Sequence, residues 1–373
     1  MARAVAVRET EVVPEADRLE GFPHPRETEE LHGHQGAEEE LCRSLHAGQV
    51  HHGWLLTGQP GIGKATLAYR FAKCLLAAPQ ERRVDRGSLA VPDDCQASRQ
   101  VRVLSHPGLL VLRRPYDHKT KRFLTSIPVD EVRRLRAFLA HRASQGSWRV
   151  VIVDAADDLN VNAANALLKS LEEPPQRMVF LLVSSEPGRL LNTIRSRCRR
   201  LDLGALDTPT LMAAATQAFA AGEVDPPAEE VSQRLAQLAQ GSVRRFIGLH
   251  SAGGIEMHEK IGVFLGHLPG VSWPSVHDLA ESLGAAAASE RYTLYHELLF
   301  DELAQIIKAA ATGGGEGSRR ALAQRLIAPH RLASWASLWE TLVREEAETR
   351  ALNLDRKAFI LGTLQRIEAA ARP

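Results

Sequence analysis

The segment Gly58–Ala65 limits the possible folds of this chain more than any other, since it reads Gly-Gln-Pro-Gly-Ile-Gly-Lys-Ala. Glycines at this spacing let backbone N–H groups close around a phosphate, and the lysine after the last glycine reaches the outer phosphates. The mostly apolar segment His52–Thr57 predicts a buried strand, and Thr66–Leu76 predicts a helix whose N-terminus faces the phosphate. The sequence therefore predicts a phosphate-binding loop between a strand and a helix.

The last position of this loop departs from the usual pattern. A serine or threonine there normally offers its hydroxyl to Mg²⁺, but this chain has Ala65, which offers no ligand. Thr66, the next residue, or a water molecule is the alternative source of the missing oxygen. We therefore expect ATP or ADP as candidate ligands of the loop, with weak or absent binding of Mg²⁺.

A second motif lies at Arg149–Asp154, a β-branched run that ends in an acid. A carboxylate at the tip of such a strand can hold the Mg²⁺ shell of a nucleotide. Enzymes that hydrolyse the nucleotide usually have a water-activating glutamate at the next position, where this chain has Ala155. Asp157 and Asp158 lie too far along the chain to replace it by simple register, so a second group expected for hydrolysis is missing.

Further periodic segments complete an α/β front half. Two more strands are predicted over 109–112 and 179–183, and two more helices over about 127–142 and 162–173. The strand over 179–183 ends in Ser184 and Ser185, whose hydroxyls either sense a γ-phosphate or cap the next turn. Residues 80–100 are predicted to be an irregular polar stretch.

The rear half of the chain shows helical periodicity alone. Residues 211–250 are rich in alanine and leucine, and the helices predicted from Met257 onward are interrupted by prolines and by the glycine loop 313–315. The predicted fold is therefore an α/β core with a parallel sheet, followed by helices. At 373 residues with 44% hydrophobic content, two or three domains are expected.

Charge and hydropathy restrict the possible partners. No apolar run reaches the ~18 residues that span a bilayer, and the first thirty residues have no signal-peptide core, so we expect a cytoplasmic chain without a membrane partner. The net charge of +1 excludes a surface that is basic all over. Residues 113–149 nevertheless contain ten Lys/Arg and three acids, a local excess of +7. This excess suits phosphates or an acidic partner, or else a solvated helix face and a charged hairpin.

The cysteines and histidines do not predict a metal site. Cys42, Cys74, Cys95 and Cys198 lie far apart and form no C-x-x-C pair. The histidines at 32, 34, 51 and 52 are not paired at ligand spacing with cysteine or a carboxylate. We therefore expect free thiols and no zinc.

Four motifs together resemble a known family. The ordered set Gly58–Lys64, Val150–Asp154, Asn165–Pro175 (Asn-Ala-Leu-Leu-Lys-Ser-Leu-Glu-Glu-Pro-Pro) and Ser196-Arg-Cys198 is similar to the AAA+ core of bacterial clamp loaders. More closely, the segments 21–26, 187–191 and 193–198 resemble the delta-prime subunits of DNA polymerase III. The resemblance covers the first 200 residues well and the rest loosely.

The resemblance implies an architecture and a role. It implies an N-terminal arm (1–30), an AAA+ core (31–204), a small helical lid (205–254) and a helical collar for oligomerisation (255–373). It implies gamma/tau and delta subunits as partners, with the sliding clamp and primed DNA reached through the complex. Arg197 of the Ser-Arg-Cys motif is implied to reach the ATP site of a neighbouring subunit. The candidate nucleotide-binding residues are Gly58, Gly61, Gly63, Lys64, Thr66, Asp154, Ser184 and Arg244, the last as the sensor arginine of Gly241–Arg244.

Two functional classes remain open. One is a scaffold subunit without its own ATPase activity, which the residues Ala65 and Ala155 favour. The other is a working ATPase motor in which Thr66 or water replaces the missing hydroxyl and another acid orients the attacking water. A free-standing kinase lacks a phosphoacceptor site in the sequence. Polymerase chemistry belongs to the holoenzyme of which such a subunit is a component, because this chain shows no two-metal carboxylate site.

Overall fold

The computed structural model describes residues 14–28, 30–84, 87–140, 147–285, 288–314 and 317–372. The chain separates into two units. The first comprises Met1–Ser232 and Ala239–Arg245, and the second comprises Gln233–Leu238 and Phe246–Pro373. All the strands described lie in the first unit and the second is helical, which confirms the predicted fold class of an α/β core followed by helices.

A parallel sheet forms the centre of the first unit. The strands are β1 (Gly53–Thr57), β2 (Leu109–Leu112), β3 (Tyr116–Asp117), β4 (Arg122–Phe123), β5 (Arg149–Asp154), β6 (Met178–Ser184) and β7 (Arg199–Asp202). Five of them pair in the order β2-β5-β6-β1-β7, and all these pairs are parallel. β3 and β4 form a separate antiparallel hairpin.

Helices cover both faces of this sheet. The helices of the chain up to residue 221 are α1 (Gln35–His46), α2 (Lys64–Leu76), α3 (Gln96–Arg102), α4 (Val129–Ala140), α5 (Val161–Glu172), α6 (Asn192–Arg195) and α7 (Thr208–Ala221). Alternate side chains of β1 point to opposite layers: Trp54 and Leu56 pack with α1 and α2, whereas Leu55 packs with α4 and α5. Because a strand between two layers buries both faces, β1 is apolar along its whole length up to Thr57.

The second unit consists of long helices. The remaining helices of the chain are α8 (Glu229–Ala239), α9 (Val243–Ser251), α10 (Gly254–His267), α11 (Trp273–Gly284), α12 (Ser289–Thr312), α13 (Gly317–Leu326), α14 (Leu332–Leu352) and α15 (Arg356–Ala371). α12 is the most deeply packed of them, and the Trp339 indole on α14 donates to the Phe300 carbonyl at 2.9 Å. No helix within the described ranges has the length and apolar character needed to cross a membrane.

Most of the predicted elements are observed within one or two residues of their predicted ends. The four predicted strands correspond to β1, β2, β5 and β6, and the helix predicted over 162–173 is α5. The helix predicted over 127–142 is α4, although Arg142 lies outside the described residues. α5 begins at Val161 because the Asn160 side chain accepts a hydrogen bond from the Ala163 N–H at 2.8 Å.

One expectation is corrected, and one strand was not predicted. The stretch 80–100 is not irregular throughout, since α3 begins at Gln96, where the Cys95 sulfur accepts from the Ser98 N–H at 3.3 Å. The arginine-rich segment after Cys198 is strand β7, in which Leu201 alone is buried. A strand with one buried residue gives too weak an alternation of apolar and polar residues to be recognised in the sequence. The lid and collar boundaries stay predictions.

Buried ion pairs attach residues 14–28 to the sheet. Arg113, just after β2, binds Glu15 at 2.5 Å and Asp17 at 3.1 Å, and Arg26 binds Glu15 at 2.9 Å. Asp17 also bonds the buried His24 ring at 2.7 Å. Burial alone would raise the pKa of Asp17, but the hydrogen bond to His24 and the charges of His24 and Arg113 outweigh it and hold that pKa below its ordinary value.

Replacing Arg113 with methionine tests how much this network contributes to the stability of the fold. We expect the free energy of unfolding to fall by about 2–4 kcal/mol at pH 7, because Glu15 and Asp17 both lose a buried cation and keep only Arg26 and His24, respectively, as partners. Both carboxyl pKa values are lowered in the fold. Their contribution is therefore present above the unfolded pKa values of about 4 and is lost as the pH falls through the lowered values. Urea denaturation at pH 7 and pH 3 measures the difference.

Arg133→Met is the matched control. Its 2.6 Å pair with Asp130 lies on an exposed helix surface, with side chains 61% and 78% exposed. Its loss should cost less than about 1 kcal/mol. Equal losses in the two variants would contradict a structural role for the buried network.

Candidate nucleotide-binding site

The candidate residues meet at the carboxyl ends of three neighbouring strands. In the parallel ladder Thr57 at the end of β1 lies opposite Ser184 at the end of β6, and Asp154 at the end of β5 lies opposite Val183. The glycine loop leaves β1 at this edge. Ligands of open parallel sheets bind outside these ends, so the structure brings the predicted loop, Asp154 and Ser184 to one site.

The backbone of the loop requires glycine. Gly58, Gly61 and Gly63 all have positive φ angles, of 144°, 76° and 109°. A Cβ at Gly58 would lie 2.4 Å from the Leu203 carbonyl oxygen, and one at Gly61 would lie 2.4 Å from the Arg244 Cβ. Both positions therefore exclude larger residues by conformation and by space.

The carbonyl groups of the loop are bound by the surrounding protein. The Ser242 hydroxyl donates to the Pro60 oxygen at 2.8 Å, and the Val243 N–H donates to the Gly61 oxygen at 3.0 Å. The His34 Nε2 lies 2.7 Å from the Ile62 oxygen and must be the donor, since a carbonyl only accepts. Burial lowers the pKa of His34, in agreement with a neutral ring.

The amide groups of the loop suit a phosphate. Within the part of the chain that the structure describes, no protein acceptor takes a hydrogen bond from the N–H of Gly61 or Gly63. Gly63 is also the residue that precedes α2, whose N-terminus carries a partial positive charge. A loop with bound carbonyls and available amides at a helix N-terminus is a site for an anion.

Lys64 points into this loop. Its ammonium donates to the carbonyl oxygens of Gly58 and Gln59, each at 2.7 Å, and to the Ser185 hydroxyl at 2.9 Å. Burial lowers its pKa to about 8, and the charges of Asp154 and Asp157 oppose this shift. The ammonium is therefore still protonated at pH 7 and adds positive charge to the site.

Asp154 is buried at the tip of β5. Burial and the charge of Asp17 raise its pKa to about 7, against the opposing charges of Lys64, Arg113 and Arg244. Its Oδ2 atom has no hydrogen-bond partner among the described residues. Ala65 in the first turn of α2 has no oxygen to add, and the described residues contain no cluster of three or more His, Cys, Asp or Glu side chains. The residues present fit a phosphate, and weak or absent binding of Mg²⁺ stays a prediction.

Asp157 fixes the end of β6. Its carboxylate accepts hydrogen bonds from the Ser184 hydroxyl at 2.5 Å, the Ser185 N–H at 2.6 Å and the Glu186 N–H at 3.2 Å. Ser184 thus donates to Asp157, while Ser185 is the residue that contacts Lys64. Sequence reasoning missed these contacts because they join residues 27 to 121 positions apart.

The remaining candidate residues lie at the margins of the loop. Thr66 is half-buried in the first turn of α2. The Gly241–Arg244 segment packs on the loop, as the family resemblance implies, and the Arg244 side chain is exposed there. The sensor role of Arg244 stays a prediction.

Arg197 lies apart from the loop, on the segment after α6. Its guanidinium pairs with Glu172 at 2.8 Å and donates to the Thr193 carbonyl at 2.9 Å. About a third of the side chain is exposed, at 35%. The neighbouring arginines are also bound: Arg195 to Asn192, Arg199 to Glu40 and Arg200 to Asp202.

The fold and the arrangement of the site are those of a AAA+-type core. The glycine loop follows an inner strand, an acid lies at a neighbouring strand tip, and an arginine-containing segment packs against the loop. Residues 33–207 match the protein-family model described as "DNA polymerase III, delta subunit". This part of the chain is therefore similar to the DNA polymerase III family that the sequence motifs predict.

The chain is also similar to individual subunits of DNA polymerase III. The DNA polymerase III subunit delta-prime of Pseudomonas aeruginosa is 38% identical over 219 residues, which cover 59% of this chain and 60% of the relative. The delta-prime subunit of Escherichia coli is 36% identical over 161 residues, which cover 43% and 45%. The tau subunit of Escherichia coli is 29% identical over 209 residues, which cover 56% and 30%. The matches thus span about half the length of the delta-prime relatives.

Replacing Asp154 with asparagine tests the charge balance of the site. The folded pKa of about 7 lies above the unfolded value of about 4, so the ionised carboxylate costs stability as the pH rises between these values. We expect the stability of Asp154→Asn, relative to the unaltered chain, to increase by more than about 1 kcal/mol between pH 5 and pH 8. Urea denaturation at both pH values measures this, and Asp130→Asn on the surface of α4 is the control. A difference that stays constant with pH would contradict the raised pKa.

Proposed function

We propose that this chain is a non-motor, delta-prime-like subunit of a bacterial clamp loader. The glycine loop and Lys64 are the groups that would hold a nucleotide phosphate, and the chain does not hydrolyse ATP itself. It offers Arg197 to the ATP site of a neighbouring gamma/tau subunit. With gamma/tau and delta it helps to load the sliding clamp onto primed DNA in the cytoplasm.

One observation carries the non-motor part of this proposal: the acids near the loop are unsuited to activating water. Ala155 takes the place of the expected glutamate, and the Asp157 carboxylate already accepts three hydrogen bonds from the turn after β6. A carboxylate used in this way is held by the turn rather than directed at a substrate water. This argues against the alternative in which Asp157 replaces the glutamate.

The position of Thr66 argues against the other part of the motor alternative, in which Thr66 replaces the missing hydroxyl. Successive residues of an α-helix are rotated by about 100° around its axis. A hydroxyl on Thr66 therefore leaves α2 in a different direction from one on residue 65. Without a hydroxyl at position 65, the loop lacks the side-chain oxygen that usually holds the Mg²⁺ required for hydrolysis.

The contacts of Arg197 support a role outside its own loop. Its pair with Glu172 is half-exposed, and such pairs contribute only about 0–1 kcal/mol. Arg197 can thus exchange Glu172 for a phosphate of another subunit at little cost. A guanidinium is suited to this because it binds phosphate oxygens bidentately.

The rear of the chain completes the proposal. Three helices, α7 to α9, occupy most of the range assigned to the lid (205–254), and α10 to α15 occupy the collar range (255–373). We assign the collar to packing against gamma/tau and delta. The names of the delta-prime and tau relatives support membership of such a complex.

The first test is ATP turnover by the purified chain. We expect a rate no higher than that of a protein-free control, with or without Mg²⁺, because the metal and water positions lack their groups. Lys64→Ala should weaken any binding of a fluorescent ATP analogue at least tenfold, since it removes the cation of the loop. Lys169→Ala, on the exposed surface of α5, is the matched control. Robust turnover that disappears in Lys64→Ala would overturn the non-motor proposal.

The second test is the DNA-stimulated ATPase rate of a loader reconstituted with gamma/tau and delta subunits. Arginines that act in trans accelerate nucleotide hydrolysis by about 10³–10⁵-fold, so Arg197→Ala should remove the contribution of one ATP site. Folding and complex assembly should be unchanged, as judged by thermal unfolding and co-purification.

Two variants serve as controls for this experiment. Arg195→Ala removes an exposed arginine two positions away and should leave the rate unchanged. Glu172→Gln keeps the shape of the partner but releases Arg197, so it should maintain or raise the rate. A reconstituted loader whose rate is the same with Arg197→Ala would refute the trans role.

A further inference from the structure

Some of the cations of residues 113–149 pair with carboxylates in the structure, and others do not. Four arginines bind carboxylates: Arg113 binds Glu15 and Asp17, Arg114 binds Asp158, Arg133 binds Asp130 and Arg134 binds Glu131. Arg149 donates to the Leu139 carbonyl at 3.0 Å, and Arg142 lies outside the described residues. The other cations of the segment, Lys119, Lys121, Arg122 and Arg136, have no carboxylate within 4.0 Å among the residues described.

Three of these cations lie on the β3–β4 hairpin, Tyr116–Phe123, which we call the basic hairpin. Lys119, Lys121 and Arg122 are exposed. The one acid in this hairpin, Asp117, is used to close the turn, since its carboxylate accepts from the Lys119 N–H at 2.8 Å and the Thr120 hydroxyl at 2.9 Å. The outward-facing charge at the tip is therefore positive.

Aromatic rings hold the two strands of the hairpin together. Tyr116 and Phe123 are paired across the strands, with ring centroids 5.2 Å apart in an edge-to-face arrangement, and His118 packs on Tyr116 at 5.3 Å. Tyr116 and Phe123 are half-buried, so each keeps part of its ring accessible. The cations are thus presented on an ordered support, which reduces the entropy lost when they bind a ligand.

We propose that the basic hairpin binds the sugar–phosphate backbone of single-stranded DNA through Lys119, Lys121 and Arg122, with the Tyr116 and Phe123 rings available to the bases. Clustered cations beside aromatic rings are the combination that binds single strands without sequence preference. An acidic protein segment would use the cations but not the rings. This inference goes beyond the proposed function. In that proposal the complex as a whole contacts DNA, and no DNA contact is assigned to this chain.

Fluorescence anisotropy with a labelled 20-nucleotide oligothymidylate and the full chain tests the inference. The triple variant Lys119→Gln, Lys121→Gln, Arg122→Gln should raise Kd at least tenfold at 50 mM salt. Each phosphate contact to a single strand contributes about 0.7 to the slope of log K against log salt, so the slope should become shallower by about 2. Both variant and unaltered chain should have the same unfolding midpoint, since the replaced side chains are exposed.

The control is a second triple variant with the same loss of charge elsewhere. Lys308→Gln, Arg320→Gln and Arg344→Gln replace exposed cations of the second unit and should change neither Kd nor the salt slope. An excess of polyglutamate with the same number of charges should displace the labelled strand less well than unlabelled oligothymidylate. The inference is overturned if the unaltered chain does not bind the strand, if both triple variants lose affinity equally, or if polyglutamate competes as well as DNA.

Discussion

The pairing of β1 with β6 on one side and β7 on the other is the constraint on which the rest of the first unit depends. The ladder fixes Thr57 beside Ser184 and Asp202, and so fixes the point at which the chain must turn into the glycine loop. The carbonyl of Leu203, just beyond β7, approaches so closely that Gly58 has no room for a Cβ. The phosphate-binding conformation is thus imposed by the neighbouring strand as well as by the glycines.

The second constraint is the electrostatic balance at this edge of the sheet. Burial lowers the pKa of Lys64 to about 8 and raises that of Asp154 to about 7, so at neutral pH the lysine is charged while the aspartate is only partly ionised. The N-terminal segment takes part in this balance, because Asp17 raises the pKa of Asp154 and Arg113 opposes it. The charged lysine therefore favours an anion at this edge of the sheet.

The sequence predicted the elements whose residues follow a strong period. β1, β5 and β6 are continuous apolar runs, and α5 has a clear apolar stripe, so each was found within one or two residues. β7 was missed because its arginines and Asp202 are exposed and its assignment depends on pairing with β1. The hairpin β3–β4 was foreseen only as one way of accommodating a charged segment, since two-residue strands have no periodicity to detect.

The sequence likewise predicted the part of the candidate site that depends on local motifs, and it did not predict the long-range contacts. Gly58, Gly61, Gly63, Lys64 and Asp154 follow from a local motif and a strand tip, and the structure places them at one edge. Asp157, Ser185 and Ser242 were not assigned their contacts, because hydrogen bonds between residues far apart in sequence leave no local pattern. The partners of the arginines at 195–200 were hidden for the same reason.

By itself, the sequence determined that the chain contains a phosphate loop without its usual hydroxyl, an aspartate without its usual glutamate, and the motifs of the clamp-loader family. These are properties of residue identity and short-range spacing. The tertiary structure decided how the polar groups are used: Asp157 holds a turn, Glu172 holds Arg197, and Asp117 closes a hairpin whose cations remain exposed. These uses depend on which side chains come within hydrogen-bonding distance, and folding brings together residues that are distant in the chain as well as neighbours.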